Sequence, residues 1–459
     1  MVRSATPLGL GLAVALLFTA CSSPPAASVA PTAGSAAPPA TTAAVPTQPA
    51  ASVASTQPPA APPTVAAAPT TAEEPTVAAP PTDALPPTSA PVAASEGELD
   101  SQAQRQTYTQ LVYLSYKDAY DRGLALQSAI DAFLEDPSDS TLDAAKQAWL
   151  ASREPYGQTE PYRFYGGPID VVDEATGLEG PEGRLNAWPL NEAHIDYVEG
   201  NPDAGIIADT SVEITEAAII ERNSVDDEAA VSTGYHAIEF LLWGQDVSDD
   251  GPGARPADDY LPGDPIRERR GQYLRVVTAL LVNDLKGLAD AWEPGQADNY
   301  AAQFLQLDER QALGHMLTGI GSLSGFELSS ERIAVSLDSG DQEDEHSCFS
   351  DNTHNDFRYN ARGIRNIYLG EYGAFKGAGI NALAARVAPD INAQLEAQLA
   401  TTEQLADAVT PPIDLILGSP TGSPQRTQMQ DLSDSFRVQA NLIKELGDRL
   451  GVEVIITGE

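Results

Sequence analysis

His236 and Glu239 lie three residues apart within Thr233-Gly-Tyr-His-Ala-Ile-Glu-Phe-Leu-Leu-Trp-Gly-Gln-Asp246. At helical pitch, positions three apart sit roughly 60° from one another around the axis, so the imidazole and the carboxylate project from one face, one turn apart. Such a pair can share one metal ion, or it can satisfy itself as a hydrogen-bonded core pair. Ile238, Phe240, Leu241, Leu242 and Trp243 leave the stretch little polar surface. The helix is therefore expected to be mostly buried, and its glutamate then needs a cation, a donor or a proton.

A second constellation is Asp341-Gln-Glu-Asp-Glu-His-Ser-Cys-Phe-Ser-Asp-Asn-Thr-His-Asn-Asp356, which holds His346, His354, Cys348 and six acids within sixteen residues and has no basic residue. Like-charge repulsion among these acids would be relieved by a bound cation. Carboxylates with imidazole suit iron, manganese or zinc, whereas one cysteine among many oxygens does not suit a closed structural zinc site. The competing account is a solvated acidic loop in which Ser350, Asp351, Asn352 and Thr353 cap the next helix. Further candidates are Glu192, His194 and Asp196, in a loop rich in acids and aromatics, where capping is an equally good use. Glu160 and Arg163 are close enough in sequence to form an ion pair, and Tyr162, Phe164, Tyr165 and Trp188 are candidates to line a groove or to fill the core.

Helices must position these groups. Apolar residues recur at helical spacing over about 99–134, and a second helix is expected from Ser138, whose hydroxyl can cap it. The stretch about 226–243 carries His236 and Glu239. Asp264-Pro265, with the acid as N-cap and proline at the first helical position, opens a helix running to about Trp292. Others are expected over about 298–317, 388–409 and 428–450, the last closed by Gly451. Gly319, Gly321 and Gly325 permit close helix approach, and residues 452–456 suit one short strand. Few segments alternate, so the fold class is all-α, expected as helical bundles. Glu160 to Arg163 and Glu327 to Arg332 loosely echo one another, each setting an acid near an arginine after a helix.

The chain opens with Arg3, an apolar run from Leu8 to Phe18, and Cys21, in the manner of a lipoprotein leader over residues 1–21. Cleavage would leave Cys21 to carry lipid and anchor the protein to a membrane, facing the periplasm or the cell surface; export without lipid is the alternative. Residues 22–97 are almost entirely Pro, Ala, Thr, Ser and Val with no aromatic side chain, the composition of a disordered linker. The formal net charge is −40; the first 97 residues hold one basic and four acidic side chains, leaving −37 for the body. Such a surface repels nucleic acid and attracts cations.

Gly234-Tyr-His-Ala-Ile-Glu239, with Phe240 to Asp246 behind it, resembles the Gly-x-His-x-x-Glu signature of the imelysin-like family. Tyr156 to Asp170, Asn186-Ala-Trp-Pro189, Ile195-Asp-Tyr197, Phe326 to Arg332 and Gln342 to His354 resemble blocks of its branch of cyanobacterial iron-regulated envelope proteins. The resemblance covers essentially the whole body. It implies two pseudo-symmetric helical bundles, assigned here to 98–247 and 248–459, with a groove between them that carries Gly234, Glu160, Arg163, Trp188 and Asp351. It also implies a part in iron acquisition alongside envelope iron-transport components. On this basis His236, Glu239, Glu192, Glu343, His346 and His354 are the candidate metal ligands, iron the expected metal and zinc the other. The family is also filed as a peptidase, but Phe240 stands where a second histidine would complete an inverted zinc-peptidase motif, so this helix alone supplies half a metal site. A groove that recognises an organic ligand or a partner protein is the third possibility.

Overall fold

The computed structural model describes residues 99–456 apart from 172–179, 226 and 250. The expected leader and linker, residues 1–97, lie outside the described residues. Helix α1, Gln102–Glu135, and helix α2, Asp139–Gly157, form an antiparallel pair. Ser138 caps α2 as expected, its hydroxyl accepting from Thr141 N while the Thr141 hydroxyl accepts from Ser138 N in a capping box. Helix α3, Gly234–Trp243, is buried at every position and packs on α2. It starts eight residues later than the periodicity suggests. Gly234 has a φ of +88°, so the chain turns into α3 there and does not continue an earlier helical turn.

Helix α4, Pro265–Trp292, begins as expected, with Asp264 Oδ1 accepting from Ile266 N and Arg267 N. It packs along α1 and against α3. The helix expected over 298–317 is two: Tyr300–Phe304, then α5, Glu309–Ser322, restarted by Asp308, whose carboxylate accepts from Arg310 N. Helix α5 runs on as a π-helical stretch, Leu323–Ala334, before a last turn, Val335–Ser339. Its glycines do permit close approach. A Cβ on Gly319 would lie 2.2 Å from Pro161 O, and one on Gly325 2.8 Å from Ala440 Cβ.

Helices α6, Thr353–Leu369, α7, Pro389–Ala408, and α8, Pro424–Leu450, follow; α8 packs on the π stretch and α7, and ends at Gly451 with a φ of +64°. Helix α6 touches both α2 and the π stretch and so ties them together. All the described residues fall in one compact unit. Residues 452–456 form no strand. Thr318 Oγ1 accepts from Ile455 N and Ser322 Oγ donates to Ile455 O, so hydroxyls of α5 satisfy this extended segment where a neighbouring strand would otherwise be needed. The described strands are a two-residue hairpin, Glu371–Tyr372 with Phe375–Lys376. The fold is all-α.

Candidate metal centre

Helix α3 places His236 and Glu239 one turn apart, and their side chains meet: His236 Nδ1 lies 2.9 Å from Glu239 Oε2, with both residues at 1 % exposure or less. Glu239 Oε1 accepts from Ser350 N at 3.1 Å and Ser350 Oγ at 2.6 Å. Ser350 ends a 3-10 turn, Cys348–Ser350, inside the acidic loop, and Phe349 of that turn packs on Phe240 and Trp188. The remaining ring nitrogen of His236, Nε2, is buried without a hydrogen-bond partner.

His346 packs against His236 edge to face, ring centroids 4.7 Å apart. It repeats the first arrangement. Its Nδ1 lies 2.9 Å from Asp356 Oδ2, which also accepts from Ser347 Oγ at 2.6 Å. Asp356 is paired through both oxygens with donors, so His346 Nδ1 carries the proton and donates, and its Nε2 accepts from Asn186 Nδ2 at 3.3 Å. Two imidazoles thus stand together, each held through Nδ1 by a carboxyl group that a serine hydroxyl anchors. Burial, with His346 and Arg153 nearby, holds His236 well below the usual imidazole range; burial and Arg332 hold His346 down to about 4 against the opposing pull of Asp356. Both rings are neutral at pH 7, the form that binds metals.

A buried ion-pair network supports this pair. Arg153, 1 % exposed, donates from Nη2 to Asp356 Oδ1 at 3.0 Å and from Nη1 to Asn186 Oδ1 at 2.6 Å. Asn186 Nδ2 also approaches Glu160 Oε1 at 3.4 Å. The two acid–arginine segments noted in the sequence meet here: Glu160 Oε2 accepts from its own Arg163 at 3.2 Å and from Arg332 at 2.9 Å, while Glu327 accepts from Arg332 at 2.8 Å. Burial would raise Glu160, yet Arg163 and Arg332 outweigh it and hold this carboxyl at about 2. A cleft of about 770 Å³ opens onto the network, with Arg163, Glu182, Trp188, Arg332 and His346 among its lining. Trp188 lies over His236 at a centroid distance of 5.0 Å and separates it from the cleft.

Of the six candidate ligands, the structure brings together His236, Glu239 and His346. Glu192 instead accepts from Gln245 Nε2 at 3.2 Å. His354 turns back on its own loop, with Nδ1 3.0 Å from Asp351 O. Glu343 is exposed on a short 3-10 turn, Gln342–Asp344, facing a second cleft. The acidic loop does serve the pair, but through His346 and Ser350. Its Asp351 gathers with Asp246 and Asp414, the one place among the described residues where three ligating side-chain atoms lie within 4.8 Å of one another. Sequence reasoning missed Arg153, Asn186 and Asp356 as supports. The available signal was an arginine on the buried face of α2, four residues after Trp149.

Burial pushes Glu239 up to about 8, and Glu182 and Asp351 up to about 7. In the unfolded chain these carboxyls are ionised throughout pH 6.5–8, whereas the folded protein takes up protons as the pH falls through that interval. The folded state therefore binds more protons, and metal-free protein is expected to melt higher at pH 6.5 than at pH 8. Below pH 6.5 His236 and His346, kept neutral by folding, pull the other way. Melting temperatures of chelator-treated protein at pH 8, 7 and 6.5 check this; a midpoint that falls across that series would contradict it.

Comparison with known proteins bears on this geometry. A curated relative, iron-regulated protein A of Synechococcus elongatus, is 26 % identical over 324 residues, 68 % of this chain and 77 % of the relative. The fold is shared with the crystal structure of a protein from Parabacteroides distasonis described as an iron-regulated protein A precursor (TM-score 0.59, 19 % identity, 77 % of this chain and 97 % of that one). It is shared too with an imelysin-like protein from Psychrobacter arcticum (TM-score 0.55, 17 % identity, 78 % and 98 %). The family model for imelysin, the M75 peptidase class, matches residues 112–440. That match takes in both histidine–carboxylate pairs and most of the helices that hold them, and this protein belongs to the imelysin family.

Proposed function

We propose that this protein is an exported, iron-binding member of its family that takes up the metal at His236 and His346. The observation that carries this is the unpartnered Nε2 of His236, buried beside a second imidazole and backed through Nδ1 by the Glu239 carboxyl, which would give up its proton as the metal binds. Leaving a buried ring nitrogen unsatisfied costs free energy unless something binds it. Carboxylates that hold the far nitrogen of a ligating histidine are the usual outer support of a metal site, fixing the ring and raising its basicity. His236 and His346 would supply nitrogen, with His346 exchanging Asn186 for the ion, while Glu239 and Asp356 orient the rings. Imidazole suits iron as well as zinc, and the iron-regulated relative favours iron. The bound ion would act as cargo or as a Lewis acid; the protein's part is to hold the two rings neutral, with Trp188 packed on His236 and His346 reached from the cleft.

Among the described residues no helix is long and apolar enough to cross a membrane. Attachment through a lipid on Cys21, after removal of residues 1–21, follows from the leader-like start and the cysteine behind it. Delivery of iron to envelope transport components is the matching role. Expressed with its leader and without a histidine tag, the wild type is expected to fractionate with membranes and to retain iron on elemental analysis. Cys21→Ser should release it with its iron unchanged. His236→Gln should lose the metal, and Glu239→Gln should weaken it about 10–100-fold, as for a supporting carboxylate. Metal content unchanged in the His236→Gln/Glu239→Gln double variant would sink the proposal. The family's peptidase label makes a zinc peptidase the second reading. Chelator-sensitive cleavage of an unfolded protein substrate, lost in Glu239→Gln, would favour it.

A further inference from the structure

We propose that Asp246, Asp351 and Asp414, backed by Glu345, form a second cation site, distinct from the histidine pair and built for a hard, oxygen-seeking ion of the calcium class. The three aspartates come from separate parts of the chain. Asp246 follows the end of α3, Asp351 sits at a left-handed turn with a φ of +56°, and Asp414 opens a short helix, Asp414–Leu417. Each contributes one oxygen to a group whose members all lie within 4.8 Å of one another. Calcium–oxygen distances of about 2.3–2.6 Å put opposite ligands about 5 Å apart, so this spacing matches a calcium shell with no rearrangement of the backbone.

The second, independent observation is Glu345. It is 1 % exposed, its carboxyl lies against Asp414 with the Thr353 hydroxyl nearby, and neither of its oxygens meets a donor in hydrogen-bonding geometry. Asp246 and Asp414 are also nearly buried, and both oxygens of Asp414 and one each of Asp246 and Asp351 are likewise unpartnered. Among the described residues none of the four pairs with lysine or arginine. Four carboxyl groups held together without a counter-charge are a costly arrangement that a divalent ion relieves. With oxygen ligands alone, the set suits calcium or magnesium over zinc, and its irregular, charge-rich form suits calcium over the octahedral demands of magnesium. Entry is provided by the second cleft, about 560 Å³, which Asp246, Asp249, Asp341, Glu343 and Asp414 line with no basic residue among them. Such a mouth concentrates cations.

The ion would tie the end of α3, the acidic loop and the segment before α8 into one unit. Asp351 follows Ser350, the residue that fixes Glu239, so the site borders the histidine pair without sharing a ligand with it.

The test is calorimetric titration of chelator-stripped full-length protein with calcium, with magnesium and ferric citrate in parallel, alongside thermal melts. One calcium per chain is expected, with a raised melting temperature that persists in His236→Gln. Asp414→Asn should bind calcium at least 10-fold more weakly and melt higher than wild type when stripped, because one buried charge is gone. Glu345→Gln serves as the second variant if Asp414→Asn does not fold by circular dichroism. Absence of calcium uptake at millimolar concentration would overturn the proposal. So would uptake indifferent to both substitutions, uptake lost in His236→Gln, or iron and not calcium taking these carboxylates.

Discussion

Arg153→Met is expected to destabilise the folded protein by about 3–5 kcal/mol, the range for breaking a buried ion pair by removing one partner. Arg153 is sealed among aromatic rings, 5.0 Å from the Tyr235 centroid and 5.6 Å from those of Trp149 and Tyr156. Its charge has one carboxylate partner, Asp356, itself fully buried. Burial would raise Asp356, yet Arg153, His346 and Ser347 together hold it far below the usual carboxylate range. With Arg153 gone, Asp356 must either stay ionised without its main counter-charge or draw a proton onto His346. The second course lowers the cost toward the bottom of the range, and it turns His346 into an imidazolium that cannot ligate. The variant should therefore lose metal as well as stability. Urea unfolding midpoints at constant m-value measure the first effect. A loss below about 1 kcal/mol would mean that the network is not what holds α2 against α6. Replacing both partners, Arg153→Met with Asp356→Leu, should recover part of the stability and none of the metal.

Gly234→Ala should cost about 3 kcal/mol or more, although it adds one methyl group in the first turn of α3. The backbone there has a φ of +88°, where an L side chain is strained by about 1–2 kcal/mol. The added Cβ would also stand 2.6 Å from Leu185 O and 2.7 Å from Arg184 O. These are backbone atoms just before Asn186, so relief requires moving the segment that delivers Asn186 to His346 and Trp188 to His236. The glycine of the motif is thus a contact point between two chain segments as well as a turn. Thermal unfolding compared with wild type tests the cost; a variant within 0.5 kcal/mol of wild type would show that the segment yields freely.

The same residues separate what was legible early from what was not. The pairing of His236 with Glu239 is local: three residues on one helix bring the two side chains together whatever packs around them, and the observed 2.9 Å contact follows from pitch. The caps at Ser138 and Asp264 are local in the same way, as is the close approach that Gly319 allows. Where a local signal failed, a specific contact overrode it. Gly234 cut the third helix short, Asp308 restarted the fifth, and hydroxyls of α5 took the hydrogen bonds that would have made residues 452–456 a strand.

The sequence alone therefore determined the all-α class, the family resemblance and one half of the candidate centre. Tertiary structure decided the other half: that His346 and not His354 or Glu343 faces His236, that Ser350 and not a metal-ligating acid comes from the loop to Glu239, and that Asp351 joins Asp246 and Asp414. Those partners are brought together over separations as large as 111 residues for Ser350 and Glu239 and 203 for Arg153 and Asp356. Periodicity carries no information at that range. What selects among equally suitable acids and histidines is which of them the packed helices bury beside an unmet charge or an open nitrogen, because there the cost of leaving it unpartnered is greatest.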